Sequence, residues 1–554
     1  LRTGAGYPEI DVTSPALPAA RLTDIGADYI AWADGGDTVL WAIGRTVYRR
    51  AVASVPLRQE DEEDEEGEEG EAHEEIAGDG EARAEDRAAA AEPDGALASA
   101  NEADELVEAF VPEDEHEAVV ATRFEVTVPR PTPEGALLLS GANVIAMRDG
   151  AAEVLRNADL LVEGNRIAAM GSRGSLDVPA GAHTLDLSGK WIVPGFIDTH
   201  AHWEFRTQDV LEPHTWSPVV NLAYGVTSGL DVQTAFHDYF AYRDLLAAGM
   251  AVSQRAFMTG PGVFGDNDFQ SYDEVHAYLR RYRDHYETPN IKSYQAGNRK
   301  QRQWVVLAAQ DLGLLPTTEG GGDQRMDLTH AIDGMHGNEH NLPDVPIFED
   351  VVRLFAGTGI AYTPTLIVQY NAESARELFF SRTEVRDDPK LQRFYPRNRL
   401  EELTRRRPGW QRDAEFVIEE GAQAAAQIQR AGGLVGVGGH GELQGLGFHW
   451  EMWAYAMGGM TPAEILRAAT FDAAHVIGAP DDLGSIEVGK LADMVVLDAN
   501  PLQDIRNTTA IDRVIQDGRI YDGDTLDQQW PERKALPEFW WWDQDDARYV
   551  PPQG

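Results

Sequence analysis

The stretch "FIDTHAHWEF", residues 196–205, places His200 and His202 either side of one alanine at the end of an apolar run, in a chain with only 15 histidines. Side chains alternate along a strand, so positions i and i+2 face the same way. Two imidazoles converging from one strand end make a chelate for a divalent cation, because neutral nitrogen is a favoured donor at short range. A His-x-His pair alone is weak evidence. Its weight comes from four later residues, each closing a short apolar run ahead of a Gly-rich or polar loop. They are Lys292 in "NIKSY", Glu319 in "LPTTEGGGD", His340 in "HGNEH" and His440 in "VGVGGHGE". Buried imidazole and ammonium groups need partners, and one shared metal site would partner all six.

Such residues need elements that gather their ends. From 196 to about 478, strand-like runs alternate with helical ones, which predicts an α/β fold of repeated β-α units around a parallel sheet. The strand candidates are 195–200, 226–232, 255–260, 290–294, 314–319, 337–340, 360–365 and 434–440. Eight of them suit a (β/α)₈ TIM-like barrel, whose chemistry sits at the carboxyl ends of its strands. Short strands joined by Gly and Asn turns flank the barrel, at 118–195 and 479–530, and predict a small β-sandwich built from both segments. Residues 1–57 include "DYIAWADGGDTVLWAIGRTVYRR", with hairpin turns spaced like the strands of a propeller blade. One blade cannot bury its own faces, so the rest of a propeller is expected to be missing from this chain.

Residues 58–117 are the acidic low-complexity segment, read as a disordered linker. Of the chain's 93 acidic and 47 basic side chains, 26 and 2 fall between Glu60 and Glu117, so half of the net charge of −46 sits there. That charge is unfavourable for nucleic-acid binding, which depends on neutralising phosphates. No apolar run approaches the roughly 18 residues of a membrane span. With no cysteine, disulfides, zinc–thiolate sites and cysteine nucleophiles are excluded. Residues 531–554 form an aromatic tail whose "FWWWD" is expected to dock on the missing propeller or on another subunit.

With "PGFIDTHAHWE", "IKSY", "NEH" and "LGSIEVGKLADMVVLDANPL" in order, the chain resembles the amidohydrolase superfamily. The likeness is to its imidazolonepropionase- and prolidase-like members, and to the type fused behind a TolB-like propeller. The resemblance spans about 135–525, with 28–50 matching the propeller's last strands. It implies two divalent metals, zinc first with manganese or iron as alternatives. These would be held by the first-strand His pair, a carboxylated lysine on the fourth strand, histidines on the fifth and sixth, and an aspartate on the eighth. His200, His202, Lys292 and His340 match. Glu319 replaces the fifth-strand histidine and His440 the eighth-strand aspartate, so a carboxylate and an imidazole are exchanged and the donor inventory is kept.

The chemistry implied is attack of metal-bound hydroxide on a polarised carbonyl. His440 stands where the family's proton-accepting aspartate does, and neutral imidazole accepts a proton near pH 7. Glu319 or Glu442 are alternatives. Tyr294 shares the face of Lys292 and could donate to the developing oxyanion, or simply line the barrel. Arg299 and Arg302 are candidates to grip a substrate carboxylate, against ordinary helix-surface charge. His336 and His449 flank ligand segments and are candidates for the pocket. His276 and His285 are expected to face solvent, and His475 to pack within a helix. The leading function is hydrolysis of an amide, dipeptide or cyclic amide bond, acting on a small molecule or short peptide. An esterase or lactonase on the same centre and a non-catalytic propeller–barrel binding protein are the alternatives. Propeller-fused relatives imply a periplasmic or secreted location, although no signal peptide is visible.

Overall fold

A computed structural model describes residues 20, 22–23, 25–55, 119–204, 214–233, 239–405, 411–539 and 541–542. The acidic segment and most of the tail lie outside them. The chain divides into two compact units, Leu1–Phe124 and Glu125–Gly554.

In the first unit β1 (Tyr29–Ala33), β2 (Thr38–Ile43), β3 (Thr46–Ala51) and β4 (Val119–Arg123) form one antiparallel sheet in that order. Gly44, at φ +51°, opens the two-residue turn between β2 and β3, a conformation hairpin turns demand and glycine supplies. Trp41 and Tyr48 stand opposite one another and stack at 5.5 Å. They form a small core with Val39 and the partly buried Leu22, Ile25 and Val119. Residues from 118 onward were expected to begin the β-sandwich, but Val119–Arg123 pairs with β3 instead, in register Arg50↔Val119 to Thr46↔Arg123. The run "VVATR" carries β-branched residues that fit any sheet, and the acidic stretch between it and β3 hid the partner.

The second unit opens with β5 (Ala136–Ile145), β6 (Val154–Glu163), β7 (Arg166–Ser172), β8 (His183–Asp186) and β9 (Trp191–Pro194). The parallel strands follow: β10 (Phe196–Ala201), β11 (Val226–Asp231), β12 (Arg255–Met258), β13 (Asn290–Lys292), β14 (Leu315–Thr318), β15 (Gly337–Glu339) and β16 (Ala361–Thr363). The chain then returns to antiparallel strands β17 (Met494–Leu497), β18 (Ile511–Gln516), β19 (Arg519–Asp522) and β20 (Gln528–Trp530). Segments from both sides of the parallel strands join in one nine-stranded sheet, ordered β20-β19-β18-β17-β9-β5-β6-β7, with β8 also on β5. The ten-residue β5 pairs with β8 through its first half and with β9 through its second, across bulges at Leu139/Ala142 and Ala142/Val144. Leu137, Leu160, Ile192, Met494, Ile515 and Trp530 share one apolar cluster, so the two distant segments bury a common core.

The parallel strands lie in two sheets, β10-β11-β12 and β13-β14-β15-β16. Val263 joins them, donating to the Lys292 carbonyl at 2.8 Å and accepting from Tyr294 N at 2.9 Å. On the other side, residues 434–440 run between β16 and β10. Tyr362 N donates to Leu434 O, Gly436 N to Tyr362 O, Thr199 N to Val437 O and His440 N to His200 O, at 2.7–3.0 Å. The eighth expected strand is therefore extended and bridged but makes no regular ladder. Its glycines explain why. A Cβ on Gly436 would sit 2.4 Å from Thr199 Oγ1, and one on Gly438 would sit 2.6 Å from His200 Cβ. Only glycine lets this segment approach β10 so closely, at the cost of ladder regularity.

Helices cover the outside of these strands. Asn298 caps the helix Arg299–Asp311 with a capping box to Gln301, and Asp323 caps Gln324–Asp333, which ends at Gly334 with φ +91°. The expected outward-docking tail packs on its own unit. Phe539 and Trp541 are 2 % and 3 % exposed and stack at 4.3 Å, while Trp542 Nε1 donates to Arg393 O at 2.6 Å and its ring lies under the Arg393 guanidinium. Aromatic area of that size is buried wherever a groove is at hand, and here the chain supplies the groove.

Candidate metal centre

β10 carries His200 near its end, with His202 just beyond. Their Nε2 atoms face each other at 3.3 Å. His200 is held at its backbone N and at its Nδ1. Its backbone N donates to Asp198 Oδ1 at 3.0 Å, and Asp198 also accepts from Gly439 N at 2.9 Å, tying β10 to the segment that carries His440. Its Nδ1 donates to Glu339 Oε2 at 2.7 Å, with both side chains 1 % exposed. That tautomer leaves the Nε2 lone pair directed at the other histidines.

His340 follows β15 and His440 follows the glycine-rich segment. Both adopt left-handed backbone, φ +67° and +57°, which swings each ring out of strand alternation. The ring of His340 lies 4.8 Å from that of His200, and the ring of His440 lies 5.0 Å from His200 and 4.6 Å from His202. Among the described residues, His200, His340 and His440 present ligand atoms within 4.8 Å of one another. Thr365 Oγ1 meets His340 Nδ1 at 2.7 Å, so Nε2 faces inward, where it lies 3.2 Å from Glu319 Oε2. Lys292, 1 % exposed, donates to the same Oε2 at 3.1 Å. The structure thus gathers His200, His202, Lys292, Glu319, His340 and His440 into one cluster at the carboxyl ends of the parallel strands.

Electrostatics favour lone pairs over protons there. Burial, with smaller contributions from the neighbouring histidines and Lys292, holds His200 well below its ordinary value and His202 at about 3. Burial likewise lowers His340. Burial alone would raise Glu319, but Lys292 and His340 outweigh it and hold the carboxylate below the usual range. Burial pushes Glu339 up to about 7. Neutral imidazoles with an ionised carboxylate are the donor set a first-row divalent cation takes, so the residues fit the metal that the sequence implied.

Tyr294 is half-buried beside Glu319, and burial, with Glu319 adding to it, raises its hydroxyl. Three further residues belong to the site that sequence reasoning passed over. Glu339 fixes His200. Tyr370 lies with its ring 4.8 Å from His340 and its hydroxyl 3.4 Å from Glu319 Oε1. Arg376 pairs with Glu442, whose Oε1 lies 3.4 Å from His440 Nδ1. Glu339 had a signal in "NEH", masked because adjacent strand residues face opposite ways until His340 turns left-handed.

Four other candidates lie elsewhere. Arg299 is exposed and forms a bidentate pair with Asp333, at 2.8 and 2.6 Å. Arg302 donates to Gly297 O at 2.6 Å on the same helix. Arg299 thus faces the neighbouring helix, and Arg302 the residues just ahead of its own helix. His336 precedes β15, at the opposite end from His340, and its Nε2 bonds Val476 O at 2.9 Å. His449 is fully buried between Tyr224 O and Thr508 Oγ1, at 2.9 and 2.8 Å, with its ring edge-on to Phe196 at the start of β10. His475 packs on Phe471 as expected, whereas His285 is buried, 8 % exposed, and does not face solvent.

The amidohydrolase family profile matches residues 330–521, which includes His340 and His440 but not the other four cluster residues. An imidazolonepropionase from Shouchella clausii is 40 % identical over 106 residues, 18 % of this chain and 23 % of that protein. The chain thus spans about a quarter of the length of that curated relative. Among solved structures, a Xaa-Pro dipeptidase with methionine bound in its active site superposes with TM-score 0.53 at 19 % identity, covering 70 % of this chain and all of that one. Molinate hydrolase superposes with TM-score 0.56 at 18 % identity, covering 76 % of this chain and all of that one. At these identities the likeness is one of fold.

Proposed function

We propose that this chain is a metal-dependent amidohydrolase that cleaves a carbon–nitrogen bond of an amide, a dipeptide or a cyclic amide. The carrying observation is the convergence of four imidazoles on the Lys292–Glu319 pair at one end of the parallel strands. Relatives named for a dipeptidase and an imidazolonepropionase point the same way. In this reading the two parallel sheets and segment 434–440 are arcs of a single (β/α)₈ barrel. The nine-stranded sheet is the flanking β-domain, and the four amino-terminal strands are one blade of a TolB-like propeller in a periplasmic or secreted protein.

His200, His202, Glu319, His340 and His440 would hold two divalent ions, zinc first, while Lys292 donates to Glu319 and holds it in place. When bound, these supply an activated water and polarise the scissile carbonyl. The chain's own groups do the rest. Glu442, behind His440 Nδ1, takes a proton and returns it to the leaving nitrogen, because His440 Nε2 is committed as a ligand. Tyr294 donates to the oxygen that gains charge, and Tyr370 orients Glu319 and covers His340. Metal content of the purified protein and turnover of a dipeptide and cyclic-amide panel test this. Two metal equivalents are expected, with loss of both metal and turnover in His200→Ala/His202→Ala. Turnover retained by that variant, or by metal-free folded protein, would refute it.

A further inference from the structure

The second unit holds a cavity of about 570 Å³ that shares no lining residue with the histidine cluster. Its lining includes Arg255 at the first residue of β12, Thr288 and Pro289 just before β13, and the β18–β19 turn. The cavity therefore runs along the length of β12 and past the residues that lead into β13.

The wall carries five basic side chains against the carboxylates of Asp244, Glu287 and Asp517, in a chain whose net charge is −46. Three guanidinium groups, from Arg130, Arg255 and Arg519, converge on the one carboxylate of Asp517 at 3.6, 3.5 and 3.0 Å. Asp493 relieves only Arg255, at 3.2 Å. Lys534, on the rim, makes no ion pair among the described residues, and it adds to the burial that lowers the neighbouring His214. Arg243 has Asp244 at 3.2 Å and otherwise donates to the Tyr286 and Glu287 carbonyls. Facing these charges is an apolar wall that includes Leu246, Val252, Leu526 and Leu536, with Met250 60 % exposed. Tethering of the β18–β19 turn accounts for Arg255 and Arg519. It does not account for a lysine with no ion pair among the described residues, set beside exposed apolar surface.

We propose that this cavity is a second binding site, for a small organic anion with an apolar body. The anionic head meets Lys534 and the guanidinium groups, which favour planar oxyanions, and the body lies on the aliphatic wall. Octanoate is the probe, with octan-1-ol as its uncharged match, titrated by calorimetry. Saturable one-to-one binding of octanoate is expected, with octanol at least roughly tenfold weaker. Lys534→Glu, a change at an exposed position, should weaken octanoate by roughly fivefold, the scale of a partly screened ion pair. Chelator-stripped protein should bind octanoate as well as metal-loaded protein. Non-saturable binding, equal affinity for octanol, or wild-type affinity in Lys534→Glu would overturn the proposal. So would loss of binding on metal removal, which would move the ligand to the histidine cluster.

Discussion

Glu339→Gln isolates how much of the metal centre depends on one buried hydrogen bond. Glu339 accepts from His200 Nδ1 at 2.7 Å and from Thr317, and both it and His200 are buried. Above about pH 7, where Glu339 is ionised, a hydrogen bond to an ionised group contributes about 1.5–3 kcal/mol, and a neutral one about half of that. Glutamine keeps an acceptor oxygen for Nδ1–H, so the tautomer survives while the charge is lost. The expected cost is about 1.4 kcal/mol, or about tenfold in metal affinity. That lies at the lower edge of the 10–100-fold range typical of residues that orient a metal-binding histidine. Glu339→Ala removes the acceptor altogether and should cost about a hundredfold. Zinc competition against a chromophoric chelator measures both, with circular dichroism as the check on folding. The reasoning fails if Glu339→Gln binds zinc within twofold of wild type. It fails equally if the alanine variant, still folded, loses no more affinity than the glutamine one.

Tyr370→Phe removes a hydroxyl 3.4 Å from Glu319 while leaving the ring on His340. A drop of about fivefold in kcat/KM with unchanged metal content is expected, from the loss of about 1 kcal/mol, and loss of metal would contradict it. Glu464→Gln probes stability far from the site. Arg430 holds Glu464 down to about 2, with Thr461 adding the capping box of helix Pro462–Ala469. A lowered carboxylate contributes stability above its unfolded value of about 4.5 that is lost as pH falls toward 2. The pair is partly exposed, so about 1 kcal/mol is expected in place of the full shift. Denaturant midpoints should separate wild type from variant at pH 7 and merge near pH 2.

What the sequence made legible was the set of strand ends. Hydrophobic runs closed by Gly-rich loops located seven of the parallel strands to within two or three residues at either end. Polar residues at those ends then converge wherever parallel strands share a direction. The eighth run misled only in regularity, because its glycines serve close approach to Thr199 and His200 and not a ladder. Sequence proximity to a ligand misled more. His336 stands four residues from His340, but a three-residue strand at about 3.3 Å per residue separates them by roughly 10 Å, enough to put them at opposite ends. Arg299 looked free because its partner Asp333 is 34 positions away on the next helix. Strand β4 was assigned to the wrong sheet for a related reason: β pairing is non-local, and nothing in "VVATR" names its neighbour.

Against the ligand pattern that the resemblance implies, Glu319 and His440 exchange a carboxylate and an imidazole, and the geometry offers a local reason. Lys292 is buried, and its Nζ donates to Glu319 at 3.1 Å. The histidine that the resemblance implies at that position would set an imidazole beside an ammonium, in a site where charges already crowd. An aspartate in place of His440 would lie on the side of His202 and Glu442, and would leave Lys292 without the carboxylate it now touches. Glu319 instead places one anionic oxygen between Lys292 and His340. His440 keeps the imidazole count with Glu442 at its Nδ1. The two departures are coupled: each is intelligible only with the other, and both follow from where the buried lysine's charge must be met.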